Sequence, residues 1–413
     1  MPNETLVVGA LPRIAPERFA AVLRAAGSPA AAEAVACWQA VAAEGVDPLF
    51  ALAVFAHESR FGTVGLVPAH DLKNPGATRT SRTGVGEPVA VPGRGQFWRY
   101  PSWVEGFRDL ARRLVDPAYV YRRQGADTVE RIVPLWAPAA DGNDPAAYVA
   151  AVQAFLVAQA EEPVPGVPLR VDLVPRGAPN RPGYPLRVEW VTVHETANEN
   201  PGAGAEAHRR FVHAGGGPEG VSFHFVVDDR EVVQLLPVTE NGWHAGDGAN
   251  GTGNRASVAI ELCVNADADW SRTQEHGARL AAALCRAFGL PPERVVPHQH
   301  WSGKTCPRRL LAAGFERFRA RVAALLADEG RFFPETGQWV RGDFLAFWEQ
   351  RGGLELFGYP LTGERAEPCE DGHVHTVQWF ERACFEQHEE LPPGRQVLLR
   401  RLGALALARE GEQ

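Results

Sequence analysis

The sequence predicts three successive units: an all-α unit over 13–160, an α/β unit over 187–328 and a small mixed module over 334–406. Three observations predict this. The chain has 413 residues, more than one ordinary core accommodates. The stretch 161–186, EEPVPGVPLRVDLVPRGAPNRPGYPL, is rich in proline and glycine and reads as an extended linker. Across that stretch the apolar pattern changes from helical spacing to strand alternation.

In the first unit, Asp47 is placed to cap a helix with Pro48 in its first turn, and Gly62 to stop it; PLFALAVFAHESRF runs between them. In the second unit, RVEWVTVHET, VSFHFVVDD, EVVQLL and RASVAIELCV have the β-branched content and alternation of strands. RTQEHGARLAAALCRAFG is an amphipathic helix with Leu280, Leu284 and Phe288 on one stripe and Gly289 as its stop. RRLLAAGFERFRARVAALLA reads as another helix, with Pro307 near its start. A second boundary falls at Asp328–Phe333, and beyond it short aromatic runs are broken by glycine and proline.

Apolar residues at 45% and charged residues at 22% fit a soluble globular chain. A net charge of −8 argues against a broad nucleic-acid footprint or a polybasic membrane anchor. No apolar run is long enough to span a bilayer, and the first residues lack the basic and apolar regions of a signal peptide. Six cysteines spread over the chain are too sparse for a disulfide framework. Of 42 basic residues only Lys73 and Lys304 are lysines, so Lys304 invites a reason; a site that needs one compact cation keeps lysine.

Lys304 lies in VVPHQHWSGKTCPRRL, which gathers His298, His300 and Cys306 around a glycine turn. A hydrolytic zinc site takes three protein ligands and leaves a fourth position for water, and two histidines with a cysteine form a permitted set. Cys306 precedes a helix start, where the helix dipole favours thiolate. His194, at the end of an apolar strand, is a reasonable third ligand. Spacing alone leaves His300, His208, His213, His224, His244 and His276 open. Glu261 stands alone among apolar residues in SVAIELCV. A carboxylate there is costly unless paired or useful, and beside a zinc-activated water it serves as general base.

VTVHETAN, VSFHFVVDD, NGWHAGDGANGTGNRASVAIELCVN and VPHQHWSGKTCP together resemble the zinc-dependent N-acetylmuramoyl-L-alanine amidases, which share a fold with the peptidoglycan-recognition proteins. The resemblance covers nearly all of 187–315. It implies a mixed central sheet flanked by helices and zinc on His194, His298 and Cys306. It also implies that Glu261 is the catalytic glutamate and that Lys304 assists at the carbonyl oxygen. Several members carry a tyrosine where this chain has Phe223. Phe223, Trp243 and His244 are expected to line the cleft for sugar and peptide. Bacterial peptidoglycan is then the partner and the extracytoplasmic wall the place of action. The rival function is a wall-binding protein that uses the same fold without cutting.

In the first unit ALAVFAHESRFGT, KNPGATRT, GRGQFWRYPSWVEGFRDLARRL and WAPAADGNDPAAYVAAV resemble the glucosaminidase (lysozyme-like) domains of bacterial cell-wall hydrolases. That resemblance spans about 45–155 and makes Glu58 the catalytic acid of a second, glycan-cleaving activity. Asp71 and Asp141 are candidates for a second carboxylate. The last unit resembles, in FFPETG, GGLELFGYPLTG and TVQWFERACFEQH, small modules appended to wall-associated proteins. There Cys369, His373, His375, Cys384 and His388 are close enough in sequence to consider a structural zinc, and Trp379 or Phe380 to consider stacking on sugar.

Overall fold

Asp47 caps the helix Pro48–Ser59: its Oδ1 accepts the Leu49 N–H at 3.0 Å, and Arg13 pairs with its other oxygen at 2.7 Å. That helix is buried from Pro48 to Phe55, because it runs through the middle of a helical bundle. Around it lie helices Pro16–Ala25, Ala34–Ala42, Trp103–Val115, Val129–Trp136 and Pro145–Gln159. Phe55 meets Phe107 edge-on at 5.4 Å and Trp103 at 5.1 Å. Gly62 ends the segment at φ +77°, and a Cβ there would sit 2.9 Å from the Phe55 and Trp103 rings. The computed structural model describes residues 4–404 apart from 334, 337, 389 and 393. Pro334, Gly337, Glu389, Pro393 and residues 405–406 of the expected third unit therefore lie outside the described residues.

The first unit is not purely helical. EPVAV and GQFWR form a hairpin, β1 (Glu87–Val91) with β2 (Gly95–Arg99), joined by a Pro-Gly turn. The proline-rich stretch 161–186 also differs from a plain connector. It contributes β3 (Leu169–Val171) to the edge of a six-stranded sheet, and Val174, Asn180 and Arg181 within it are buried.

The other strands of that sheet are β4 (Trp190–Glu195), β5 (Phe225–Val227), β6 (Val232–Gln234), β7 (Ser257–Leu262) and β8 (Val295–Pro297). The order is β3-β6-β5-β7-β4-β8, and β5 against β6 is the single antiparallel pair. A mixed central sheet flanked by helices is thus present. Helix Trp270–Phe288 ends at Gly289 in the left-handed region, and helix Ala205–His213 packs against the core formed by Phe223, Val226, Val233, Ala259 and Cys263. The segment read as one helix after Pro307 is two, Arg308–Ala313 and Phe315–Glu329, broken at Gly314 with φ +89°.

Helical and α/β parts pack as one compact unit that extends to Val322. Gly9 touches Pro237 so closely that a Cβ would lie 2.3 Å from the proline ring, and Gln234 donates to the Gly9 carbonyl at 2.7 Å. Glu240 is buried between Arg181 at 2.7 Å and Arg122, from the helical part, at 3.0 Å.

The second compact unit begins at Ala323. Its hairpin is β9 (Arg331–Phe333) with β10 (Gln338–Val340), and its antiparallel sheet runs β11 (Arg365–Pro368), β12 (Val374–Trp379), β13 (Cys384–Gln387) and β14 (Val397–Leu399). Phe380 is 2% exposed and packs on Phe385 at 4.2 Å, so the expectation that it stacks on sugar is not met: the core takes the ring. Trp379 is half-buried, donates to Glu367 at 3.1 Å and lies under Arg400. No described helix is long and apolar enough to cross a membrane.

Candidate metal centre

Three parallel strands deliver the site. On β4 and β7, His194 stands directly opposite Glu261, and Val193 stands opposite Pro297 of β8. Residues opposite one another in a ladder share a face. His194, Glu261 and His298 therefore project together from the carboxyl ends of neighbouring strands, the rim at which sheets of this kind place their ligands. The His298 N–H continues the ladder onto the Val193 carbonyl at 3.1 Å. Below them Thr192 bonds Ser257 at 2.7 Å and accepts from the Trp301 indole at 2.8 Å, which fixes the floor.

The ligand atoms of His194, His298 and Cys306 lie within 4.8 Å of one another, and all three residues are buried. His298 Nε2–H donates to the Ala245 carbonyl at 2.9 Å, so its Nδ1 carries a lone pair. His194 Nε2 is 3.1 Å from His244 Nδ1. With that proton on His194 Nε2, the two Nδ1 atoms meet lone pair to lone pair at 3.1 Å. Burial holds both imidazoles below the usual histidine range, so both favour the neutral form. Two bare nitrogens at that separation fit a shared cation, and the two-histidine, one-cysteine donor set suits a borderline-soft divalent ion.

The Cys306 thiol is not depressed by its helix, as its position suggested: burial pushes it up to about 11. The helix that follows has six residues and offsets little of that burial. A bound cation is what makes thiolate favourable at such a place. Glu261 Oε1 is 3.9 Å from His194 Nδ1, and its Oε2 has no hydrogen-bond partner among the described residues. Burial pushes this carboxyl up to about 8; the Lys304 charge opposes the rise and Glu195 adds to it. Lys304 is exposed, and its charge also acts on His194 and His298.

The other histidines have separate engagements. His224 donates to the Glu240 carbonyl at 2.8 Å and accepts the Ala259 N–H at 3.0 Å. His276 bonds the Asp228 carbonyl, His213 that of Asp172 and His208 that of Gly204. His300 is exposed and packs against Trp190 and Trp301.

Residues 184–309, which hold this centre, match the protein-family model described as N-acetylmuramoyl-L-alanine amidase. This segment is an amidase-family domain. The chain is 48% identical over 145 residues to the N-acetylmuramoyl-L-alanine amidase CwlH of Bacillus subtilis, covering 35% of this chain and 57% of that protein. It is 47% identical over 152 residues to XlyA of the same organism, covering 37% and 50%. The chain thus spans about half the length of the curated relatives it matches. The solved catalytic domain of XlyA aligns at 46% identity over 38% of this chain and 99% of that one, with a TM-score of 0.36.

Two residues of the amidase domain act on its centre in ways the sequence reading did not find. His244, expected in the substrate cleft, turns its Nδ1 to His194 and so orients a candidate ligand. Glu195, 7% exposed, was not singled out. Its carboxylate accepts the Arg309 and Leu310 N–H groups at 3.0 Å each, which pins the helix start beside Cys306. A buried glutamate next to a strand-end histidine was its signal. Phe223, also expected to line the cleft, is 4% exposed and belongs to the core with Val226 and Ala259; without a hydroxyl the ring has no reason to leave apolar surroundings. Trp243 is half-buried and meets Tyr184 edge-on at 6.5 Å.

Away from the amidase domain, Glu58 Oε1 accepts the Trp136 indole N–H at 3.1 Å and the Tyr148 hydroxyl at 2.9 Å. His57 stacks on Tyr148 at 3.7 Å, and Gly76 lies so near that a Cβ would be 2.6 Å from Trp136. The stretches ALAVFAHESRFGT, KNPGATRT and the start of WAPAADG therefore converge around Glu58. Asp71 is exposed beside Lys73 at 3.9 Å, and Asp141 is exposed.

Proposed function

We propose that the protein is a peptidoglycan hydrolase whose amidase domain cleaves the amide between N-acetylmuramic acid and L-alanine with zinc held by His194, His298 and Cys306. The observation that carries this is the 3.1 Å approach of the two Nδ1 atoms, with a buried thiol and a carboxyl at the same rim. Bound zinc supplies Lewis acidity, lowering the pKa of a coordinated water to about 7 and polarising a carbonyl. Glu261 takes the proton of the attacking water at its carboxylate and returns it to the leaving amine of L-alanine. Glu261 stands beside the ligand set with one oxygen that no described residue engages, which leaves it free for both transfers. Lys304, exposed and acting by its charge on His194, His298 and Glu261, would supply an ammonium to the negative charge that develops on the carbonyl oxygen. The His298–Ala245 bond holds that ring in the tautomer that keeps Nδ1 available, and a proton on His194 Nε2, donated to His244, does the same for His194.

Glu58 supports a second activity, cleavage of the glycan strand. Two donors fix one of its oxygens, which leaves the other for a glycosidic oxygen beside the Trp136, Tyr148 and His57 rings. Both activities would act on the extracytoplasmic wall.

Purified peptidoglycan digested with wild type, Glu261→Ala and Glu58→Gln tests both. New amino groups are expected to vanish only with Glu261→Ala, and new reducing ends only with Glu58→Gln. A wild-type protein that sediments with the wall yet releases neither product overturns hydrolysis in favour of binding.

A further inference from the structure

The second compact unit holds a histidine pair that the proposed reactions do not use. His375 on β12 stands opposite His388, just past β13, and the rings lie 4.0 Å apart between centroids. His388 is buried and the His375 side chain is 10% exposed, and their ligand atoms lie within 4.8 Å of each other and of a carboxylate oxygen of Asp371. Asp371 is exposed in the turn before β12, where its Oδ1 accepts the His373 N–H at 2.9 Å. Cys369 and Cys384, which the sequence also brought near, sit apart in an apolar cluster with Val377 and point their sulfurs at backbone carbonyls.

The contacts of the two rings close with hydrogen bonds alone only if both imidazoles carry two protons. His375 Nδ1–H donates to the Gln387 carbonyl at 3.0 Å, so in the neutral ring Nε2 presents its lone pair to Asp371 Oδ2 at 2.6 Å. His388 has Glu390 Oε1 2.8 Å from Nδ1 and Glu386 Oε2 3.5 Å from Nε2. Every ring nitrogen thus faces an acceptor. Satisfying all four with protons requires two imidazolium cations whose ring centroids lie 4.0 Å apart, and their mutual repulsion is offset only in part by Asp371, Glu386 and Glu390. One divalent cation replaces two of those protons and leaves both rings neutral. The carbonyl bond at His375 Nδ1 is the outer contact that orients a metal-binding imidazole. A cavity of about 480 Å³, lined by His373, His375, Thr376, Gln387 and Glu390, lies beside the pair and admits water as a further ligand.

We propose that Asp371, His375 and His388 form a second metal site, for a zinc-class divalent cation bound by two nitrogens and a carboxylate, with Glu390 as the next donor. Such a set suits zinc, nickel or cobalt over calcium or magnesium.

The full-length protein, stripped with chelator and equilibrated with zinc, tests this by metal content. Wild type is expected to hold two equivalents, Cys306→Ser one and His375→Ala one. Asp371→Asn, at an exposed side chain, is expected to weaken one equivalent at least tenfold with an unchanged circular dichroism spectrum, which separates lost binding from lost folding. A wild type that saturates at one equivalent abolished by Cys306→Ser overturns the proposal, as does Asp371→Asn with unaltered affinity. Two equivalents that Cys306→Ser leaves intact contradict the amidase centre instead, so the two failures are distinguishable.

Discussion

Nδ1 of His194 and Nδ1 of His298 face each other at 3.1 Å across the ends of two parallel strands, with the opposite nitrogen of each ring held by His244 and by the Ala245 carbonyl. Neither ring can turn away without breaking a buried hydrogen bond. That arrangement suits the shared cation proposed above, and the groups around it yield specific expectations.

Glu261 lies beside that pair without serving as one of its three donors. Glu261→Gln is expected to lower kcat for amino-group release by roughly 10²–10⁴, the range for loss of a general acid–base. Zinc content should stay at the wild-type value. A parallel loss of zinc would assign Glu261 to the metal rather than to the proton.

His244 touches His194 through Nδ1. Its removal in His244→Ala is expected to weaken zinc binding about 10–100-fold, the usual effect of deleting a partner that orients a ligand. Competition with a chromophoric chelator measures this, and unchanged affinity counts against an orienting role.

Much of this centre was legible in the sequence. His194, Glu261 and His298 sit at the ends of β-branched alternating runs, and period-two register carries them to one face. The contact of His244 with His194 was not legible, because a loop residue reaches a strand-end histidine only through tertiary folding. Phe223 was misread because the family position, not its own apolar chemistry, guided the expectation. The hairpin at 87–99 and the strand at 169–171 were hidden by neighbouring glycines and prolines, which read as breaks yet permit short edge strands. The thiol of Cys306 went the opposite way from its expected shift because burial outweighs one short helix.

Glu195 binds two helix N–H groups while buried. Glu195→Ala is expected to cost about 2 kcal/mol, since charge-assisted bonds are lost and buried donors are left unpaired. Urea unfolding should show a lower midpoint. A change within about 0.5 kcal/mol would mean that the cap contributes little.

Asp109 is 0% exposed. Burial alone would raise its carboxyl, but hydrogen bonds from Thr83, Ser81 and Arg82 outweigh it, and the group lies below the ordinary carboxylate value. A depressed folded-state pKa adds stability that is present above the unfolded value of about 4 and is lost as pH falls toward the folded one. Melting temperature should therefore fall as pH drops below about 4, and Asp109→Asn should reduce that slope. An identical slope in both proteins would remove Asp109 from the acid response.

The most direct test of the centre is the absorption spectrum of the full-length protein loaded with cobalt(II). A thiolate ligand gives an intense near-ultraviolet sulfur-to-cobalt charge-transfer band, which a site of nitrogen and oxygen donors lacks. The account predicts that band in wild type and its loss in Cys306→Ser. Cobalt binding without the band, or a band that survives Cys306→Ser, would contradict it.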